Sequence, residues 1–308
     1  MENESSTNTF LLNVFGDMGN SKYVYFFLTL VGYLLIIFFN VILVLIIFLE
    51  RSLHEPMYIF LCNLSVNSLY GTAAVFPRLL ADLLSDTHTI SRAGCFTQIF
   101  VIYTYGVSEF TILTVMAYDR YVAICKPLKY NSIMTPSKIV ILMAVAWFYP
   151  AFCITLVIIF SSRLPLCGNQ IERVYCSNWS VVKLSCIPTT SNNTVGFFLA
   201  VISAFLPLCF ILYSYMSILV VCYKSSKNFR KKALQTCLPH IITCINYSIA
   251  TFSDITLSRF ESEHILKVVS IILSLEFLVI PPLLNPLIYG MNLPEIRKRL
   301  INIRRKKI

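Results

Sequence analysis

Seven long apolar segments, separated by short polar ones, constrain the fold of this chain more than any other feature. They cover residues 23–49, 56–84, 94–124, 138–160, 195–223, 233–257 and 265–289. No water pairs with backbone N–H and C=O groups inside a bilayer, so a run of about 20 apolar residues is stable there as a helix. The sequence therefore predicts an all-α membrane protein, a seven-transmembrane helix bundle over residues 23–290. We expect a flexible polar head at 1–22 and a short amphipathic helix in the tail, 291–308.

The charges agree with a membrane protein and indicate its orientation. Hydrophobic residues make up 57% of the chain and charged residues 13%, about half the charged share of a soluble domain. The net charge is +10, but the cations do not interleave with aromatics as in nucleic-acid-binding proteins. They gather after segments one, three and five and in the tail, which predicts a plasma-membrane protein with a cytoplasmic C-terminus and an extracellular N-terminus. The glycosylation sequons at Asn3, Asn178 and Asn192 fall on the predicted outer face.

A charged pair closes the third segment, where residues 116–125 read MAYDRYVAIC. Adjacent charges at a membrane edge are costly unless they find partners. One interpretation is a lock, in which Arg120 pairs with Asp119 and with groups on the sixth helix until a partner protein takes its place. The other is a solvated pair that marks the end of a helix. The residues alone leave both open.

Four further motifs stand in order along the chain: PMYIFLCNLS at 56–65, SY at 214–215, KALQTCLPH at 232–240 and PPLLNPLIYG at 281–290. Together with residues 116–125 they resemble the olfactory branch of the rhodopsin-like G-protein-coupled receptors over nearly the whole chain. Residues 65–71 and 96–100 resemble fish receptors in particular, which would imply water-soluble odorants.

The resemblance implies a receptor without cofactor or metal. It would bind a small odorant within the bundle and activate a stimulatory, cAMP-raising heterotrimeric G protein at the cytoplasmic face. The switch residues that it implies are Asp119, Arg120, Tyr121, Tyr215, His240 and Tyr289.

Helical spacing places Ile102, Tyr103, Gly106 and Val107 on neighbouring turns of one face of the third helix. By resemblance this face lines the odorant cavity. The other residues that would line it are Leu199 and Ser203 from the fifth helix and Tyr247, Ala250, Thr251 and Asp254 from the sixth. A mostly apolar cavity with a few polar groups suits small organic ligands. Plain helix packing is the alternative for each of these residues.

Four of the eleven cysteines lie on the predicted outer face: Cys95 and, in the polar stretch 161–194, Cys167, Cys176 and Cys186. Disulfides persist on that oxidising face, and four cysteines allow three pairings. The resemblance implies the bonds Cys95–Cys176 and Cys167–Cys186.

Ionisable residues inside the segments have two interpretations each. Glu109 and Glu276 lie mid-segment, where a charge is costly, so each is either part of a switch or a neutral hydrogen-bonded group. His240 could titrate and couple to Tyr215 or Arg120, or simply pack. The family usually carries an acid where this chain has Ser68, so we do not expect a sodium site that depends on that carboxylate.

A proline and the tail carry two further expectations. We expect Pro239 to kink or loosen the first turns of the sixth helix. The basic tail, 297–307, resembles a surface helix on the anionic inner leaflet, and an unstructured cationic flank is the alternative.

Other functional classes fit less well. Transporters usually show inverted repeats, and we find none here. An enzyme would need a cluster of metal ligands or a nucleophile beside a base, but His54, His88, His240 and His264 are scattered. A non-olfactory receptor for a peptide, an amine or another small ligand is the closest alternative, although no Asp stands at the third-helix face to pair with an amine.

Overall fold

The computed structural model describes residues 8–13, 19–259 and 264–292, together with Ile296. We number the membrane-spanning helices, called spans, in chain order. Span 1 is Ser21–Leu49, span 2 is Pro56–Ala73 continued by Phe76–Leu84, span 3 is Arg92–Cys125, span 4 is Pro136–Ser162, span 5 is Thr190–Ala200 continued by Val201–Phe205 and Leu206–Tyr223, span 6 is Lys227–Arg259, and span 7 is His264–Asn292. Short helices at Arg51–Leu53, Pro127–Lys129 and Tyr130–Ile133 occupy the loops on one side, and Asn178–Val182 lies on the other.

The seven-helix bundle predicted from the sequence is confirmed, because each apolar segment coincides with one span. Within the described residues, spans 1 to 5 are each long and apolar enough to cross a membrane. Span 6 begins in a cationic stretch, and its mean hydropathy is correspondingly lower. Span 3 lies at the centre of the bundle and contacts spans 2, 4, 5 and 6.

Prolines mark two irregularities in the spans. Span 2 breaks at Ala74–Val75, just before Pro77, and span 5 widens into a π-helical turn at Val201–Phe205, just before Pro207. A proline donates no backbone hydrogen bond and its ring crowds the preceding turn, which accounts for both positions. Span 6, by contrast, continues as one α-helix through Pro239. The loosening of its first turns that the sequence predicted is not observed.

A small sheet closes the outer end of the bundle. Strand β1 (Thr9–Leu12) lies between β2 (Thr89–Ser91), to which it is antiparallel, and β3 (Gln170–Ile171), to which it is parallel. Phe10 and Leu12 are buried, since alternate residues of a strand point to the same side. The prediction of a flexible head is therefore wrong for residues 9–12, where apolar side chains repay the ordering of the strand.

Two predictions fall outside the described residues. These are the glycosylation of Asn3 and the basic surface helix formed by residues 297–307 of the tail.

The tightest approach between two spans predicts one mutational effect. A Cβ atom added to Gly71 on span 2 would lie 2.3 Å from the Tyr105 ring on span 3. Both residues are buried, so Gly71→Ala should destabilise the bundle by about 1–3 kcal/mol through overpacking. The matched control is Gly32→Ala on span 1, where a Cβ would meet nothing within 4 Å. Thermal unfolding of the detergent-purified protein would measure both, and equal melting temperatures would contradict the prediction.

Candidate ligand cavity and inner-face switch

A cavity of about 190 Å³ lies in the outer half of the bundle. Its walls come from spans 3 to 7 and from the loop between spans 4 and 5, and they are mostly apolar. The residues that line it are Ile102, Tyr103, Gly106, Val107, Phe110, Cys153, Ile154, Val157, Arg173, Tyr175, Asn178, Trp179, Val182, Asn192, Asn193, Gly196, Leu199, Ala200, Ser203, Ala204, Thr251, Asp254, Ile255 and Phe277.

Eight of the ten residues that the resemblance implied as cavity-lining do line it. They are Ile102, Tyr103, Gly106, Val107, Leu199, Ser203, Thr251 and Asp254. Helical spacing explains the agreement, because residues three and four apart on spans 3, 5 and 6 share a face. Ser203 is also tied to span 4, since its Oγ lies 3.1 Å from the Tyr149 hydroxyl.

Tyr247 and Ala250 are the two exceptions. Both have no exposed surface and neither lines the cavity. The Tyr247 hydroxyl donates a hydrogen bond of 2.7 Å to the Gly106 carbonyl, and its ring packs edge-on against Phe110. Gly106 permits this approach, because any Cβ there would lie 3.4 Å from the Tyr247 hydroxyl and 3.3 Å from Phe277. Tyr247 thus forms part of the packing that joins span 6 to span 3.

An ion pair at the outer end of the cavity was not predicted. Arg173, in the loop between spans 4 and 5, lies with Nη1 3.0 Å from Oδ1 of Asp254 on span 6. Burial acts to lower the pKa of Arg173, but the Asp254 carboxylate raises it above its ordinary value. Sequence periodicity cannot find such a residue, because a loop has no repeating face. The pair adds two opposite charges to a cavity wall whose other lining residues are uncharged and mostly apolar.

Disulfides and hydrogen bonds fix the loop that carries Arg173. The structure joins Cys95 to Cys176 and Cys167 to Cys186, the pairing that the resemblance implied. The Cys176 N–H also donates to Oε1 of Gln98 at 2.9 Å. Strand β3 ends two residues before Arg173, so β1 holds the same segment from the other side. The outer end of the cavity is therefore covered by a braced loop.

The two predicted glycosylation sites among the described residues, Asn178 and Asn192, line this cavity. Nδ2 of Asn192, the atom to which a glycan would be attached, is buried, and so is Oδ1 of Asn178. A glycan needs open space around the amide nitrogen, so Asn192 would have to turn out of the cavity to carry one. Glycosylation of Asn178 and Asn192 stays a prediction.

At the opposite end of span 3 the charged pair is formed. Arg120 Nη2 lies 3.2 Å from Asp119 Oδ2, and the Tyr130 hydroxyl donates to Asp119 Oδ1 at 2.7 Å. Burial and the Asp119 carboxylate together raise the pKa of Tyr130 well above its usual range. Arg120 Nε is buried without a hydrogen-bond partner among the described residues, so the predicted tie to span 6 is not made through that atom.

Near the inner end, a hydrogen bond joins span 6 to span 5. The Tyr215 hydroxyl is hydrogen-bonded to Nδ1 of His240, and Cys244 Sγ lies 3.5 Å from the same nitrogen. Tyr289 on span 7 has no exposed surface. Tyr121 is half-buried, with its ring 5.5 Å from the Lys126 ammonium. The predicted switch residues therefore form separate contacts, with Asp119 and Arg120 in one and Tyr215 and His240 in another.

A buried carboxyl group lies between the cavity and the inner face. Glu109 on span 3 has no exposed surface and accepts hydrogen bonds of 2.8 Å from Nδ2 of Asn67 on span 2 and from Nδ2 of Asn285 on span 7. Each carboxyl oxygen of Glu109 therefore accepts one hydrogen bond. Ser68, where the resemblance led us to expect an acid, is also fully buried, whereas Glu276 is half-buried. In the part of the chain that the structure describes, no group of three or more His, Cys, Asp or Glu could hold a metal ion.

Comparison with known proteins identifies the family. The family model described as "Olfactory receptor" matches residues 28–307. Human olfactory receptor 6Y1 is 33% identical over 97% of this chain and 92% of its own length, and human olfactory receptor 52D1 is 35% identical over 88% and 86%. The crystal structure of squid rhodopsin superposes with a TM-score of 0.74 at 15% identity, covering 90% of this chain and 84% of that one, which shows the shared fold. The chain belongs to the olfactory receptor family.

Proposed function

We propose that this protein is an odorant receptor that binds a small odorant in the outer cavity and activates a stimulatory, cAMP-raising G protein at its inner face. The observation that carries the proposal is the mostly apolar cavity of about 190 Å³ in the same bundle as the Asp119–Arg120 pair. Such a cavity suits a small organic ligand. As a member of a receptor family, the protein is a signalling protein and not an enzyme.

The contacts suggest how the two ends communicate. A ligand shifts a conformational equilibrium only by its differential affinity for the two states. The cavity is lined by residues of both span 3 and span 6, and Tyr247 and Gly106 join these spans directly below it. In our proposal the odorant favours a state in which the inner end of span 6 moves outward. That movement breaks the Tyr215–His240 hydrogen bond and frees Arg120 for the G protein.

Orientation and domain limits belong to the same proposal. The protein is a multi-pass membrane protein, and the cations between spans 1 and 2, 3 and 4, and 5 and 6 support a cytoplasmic C-terminus. The two disulfides lie at the opposite end, which supports an extracellular, oxidising environment there. Residues 1–22 would then be extracellular, 23–290 the receptor domain and 291–308 cytoplasmic. Membrane lipids surround the bundle, and nothing in the charge pattern favours a nucleic-acid partner.

The cavity wall bears on the alternative of an amine receptor. Asp254 is the carboxylate among the described lining residues, and it is already paired with Arg173. An ammonium ligand would have to displace an arginine that is held by a braced loop. This favours an uncharged odorant over an amine. The water-soluble odorants implied by the fish-like stretches remain a prediction.

Filling the cavity should abolish or weaken the response. A Cβ at Gly196, which lines the cavity, meets nothing within 4 Å, so Gly196→Leu should occupy ligand space without disturbing the fold. We expect the half-maximal odorant concentration to rise about tenfold or more in a cAMP assay. Gly32→Leu on span 1, with the same open surroundings, should leave the response unchanged. Equal dose–response curves for the two variants would rule out this cavity as the odorant site.

Removing the inner-face arginine should uncouple binding from signalling. Arg120→Ala removes the cation proposed to meet the G protein, so ligand-evoked cAMP should fall to near baseline at normal surface expression. Arg163→Ala, a cation just beyond the outer end of span 4, is the control and should signal normally. Transfected cells tested with an odorant panel give the measurement. A full response from Arg120→Ala would contradict the proposed coupling.

A further inference from the structure

A second concavity, distinct from the odorant cavity, lies at the inner ends of spans 5 and 6. It is an open groove of about 400 Å³ lined by Met216, Leu219, Val220, Cys222, Tyr223, Lys224, Arg230 and Leu234. Five of these eight side chains are apolar or aromatic, Cys222 is a buried thiol, and the two cations stand at the end where span 5 stops and span 6 starts.

The groove therefore has an apolar floor and a cationic rim.

The floor of the groove lies on the outer surface of the bundle. Met216, Leu219, Val220 and Tyr223 point away from the bundle, with exposed fractions of 61%, 48%, 53% and 84%. They belong to a membrane span, so their surroundings are lipid acyl chains and not water. The tail of a phospholipid therefore matches the floor.

The rim determines which phospholipid fits. Lys224 is exposed at the end of span 5, and Arg230 is exposed in the first turn of span 6. The connecting stretch, residues 224–232, carries five cations and no acidic residue. The first backbone N–H groups of span 6 lie beside the same rim and add positive potential. A phosphate-bearing headgroup with net negative charge matches this rim.

We propose that the groove between spans 5 and 6 is a binding site for an anionic phospholipid, with one acyl chain on the floor and the headgroup between Lys224 and Arg230. A headgroup held there contacts both spans at once, so it favours the arrangement in which their inner ends are close. This proposal depends on the proposed membrane orientation in one respect, which is that the groove lies in the cytoplasmic leaflet.

Native mass spectrometry of the purified full chain tests the headgroup. The probes are dioctanoyl phosphatidylserine and dioctanoyl phosphatidylcholine, which differ in headgroup but not in acyl chains. We expect saturable binding with a preference for phosphatidylserine. Lys224→Ala with Arg230→Ala should weaken phosphatidylserine binding about 25-fold, or about fivefold for each cation removed. Arg51→Ala with Lys129→Ala removes two exposed cations from the same face outside the groove and should leave it unchanged.

A second pair of variants tests the floor with every charge retained. Val220→Trp should fill the groove and weaken binding, whereas Leu212→Trp, on the same helix outside the groove and similarly exposed, should not. Melting temperatures in phosphatidylcholine nanodiscs show that each variant is folded. Equal binding of the two lipids, equal losses in the two double variants, or equal binding by the two tryptophan variants would each overturn the proposal. The assay needs neither odorant nor G protein, so its failure leaves the proposed receptor function standing.

Discussion

The hydrogen bonds of Glu109 are the constraint around which the middle of the bundle is organised. A carboxyl group without exposed surface is costly unless its oxygens are satisfied, and here Asn67 and Asn285 supply one N–H donor each. The two amides come from spans 2 and 7, so the carboxyl group fixes three helices relative to one another. Removing either asparagine would leave a buried oxygen unpaired, which costs more than the hydrogen bond itself contributes.

Close packing on the outer side of Glu109 extends this arrangement towards the cavity. The Tyr105 ring, one turn earlier on span 3, packs against Gly71 and edge-on against Phe277. Gly106, the next residue, accepts the Tyr247 hydroxyl at 2.7 Å. Two glycines therefore let spans 2 and 6 approach span 3 closely, as small residues commonly do between membrane helices. Gly106 and Phe277 also line the cavity, so a ligand bound there would contact groups that pack against Tyr247 of span 6.

Sequence patterns predicted the helices well because hydrocarbon leaves the backbone few alternatives. Spacing grouped Ile102 and Tyr103 on one helical face, and the resemblance implied that this face and Thr251 line the cavity, as they do. The resemblance also implied Tyr247, whose long side chain instead packs beside Gly106 and donates to its carbonyl. Both missed Arg173, because its position depends on disulfides and a strand pairing far away in the chain. The positions of residues in loops, and of residues that pack beside a glycine on a neighbouring helix, can be read only from the three-dimensional fold.

Span 6 runs as one helix from the candidate cavity to the inner end of the bundle. Span 6 has 33 residues and runs unbroken through Pro239, so at 1.5 Å per residue it is about 50 Å long. Asp254 near one end faces the cavity, and His240 lies further inward against Tyr215. A hydrogen bond between membrane helices contributes only about 0.6 to 1.7 kcal/mol, so breaking the Tyr215–His240 contact is a small cost. Moving a two-state equilibrium from 1:99 to 99:1 takes about 5.5 kcal/mol of differential affinity, so in the proposed mechanism the odorant would also have to act on the packing of span 6 against span 3 through Gly106 and Phe110, which line the cavity.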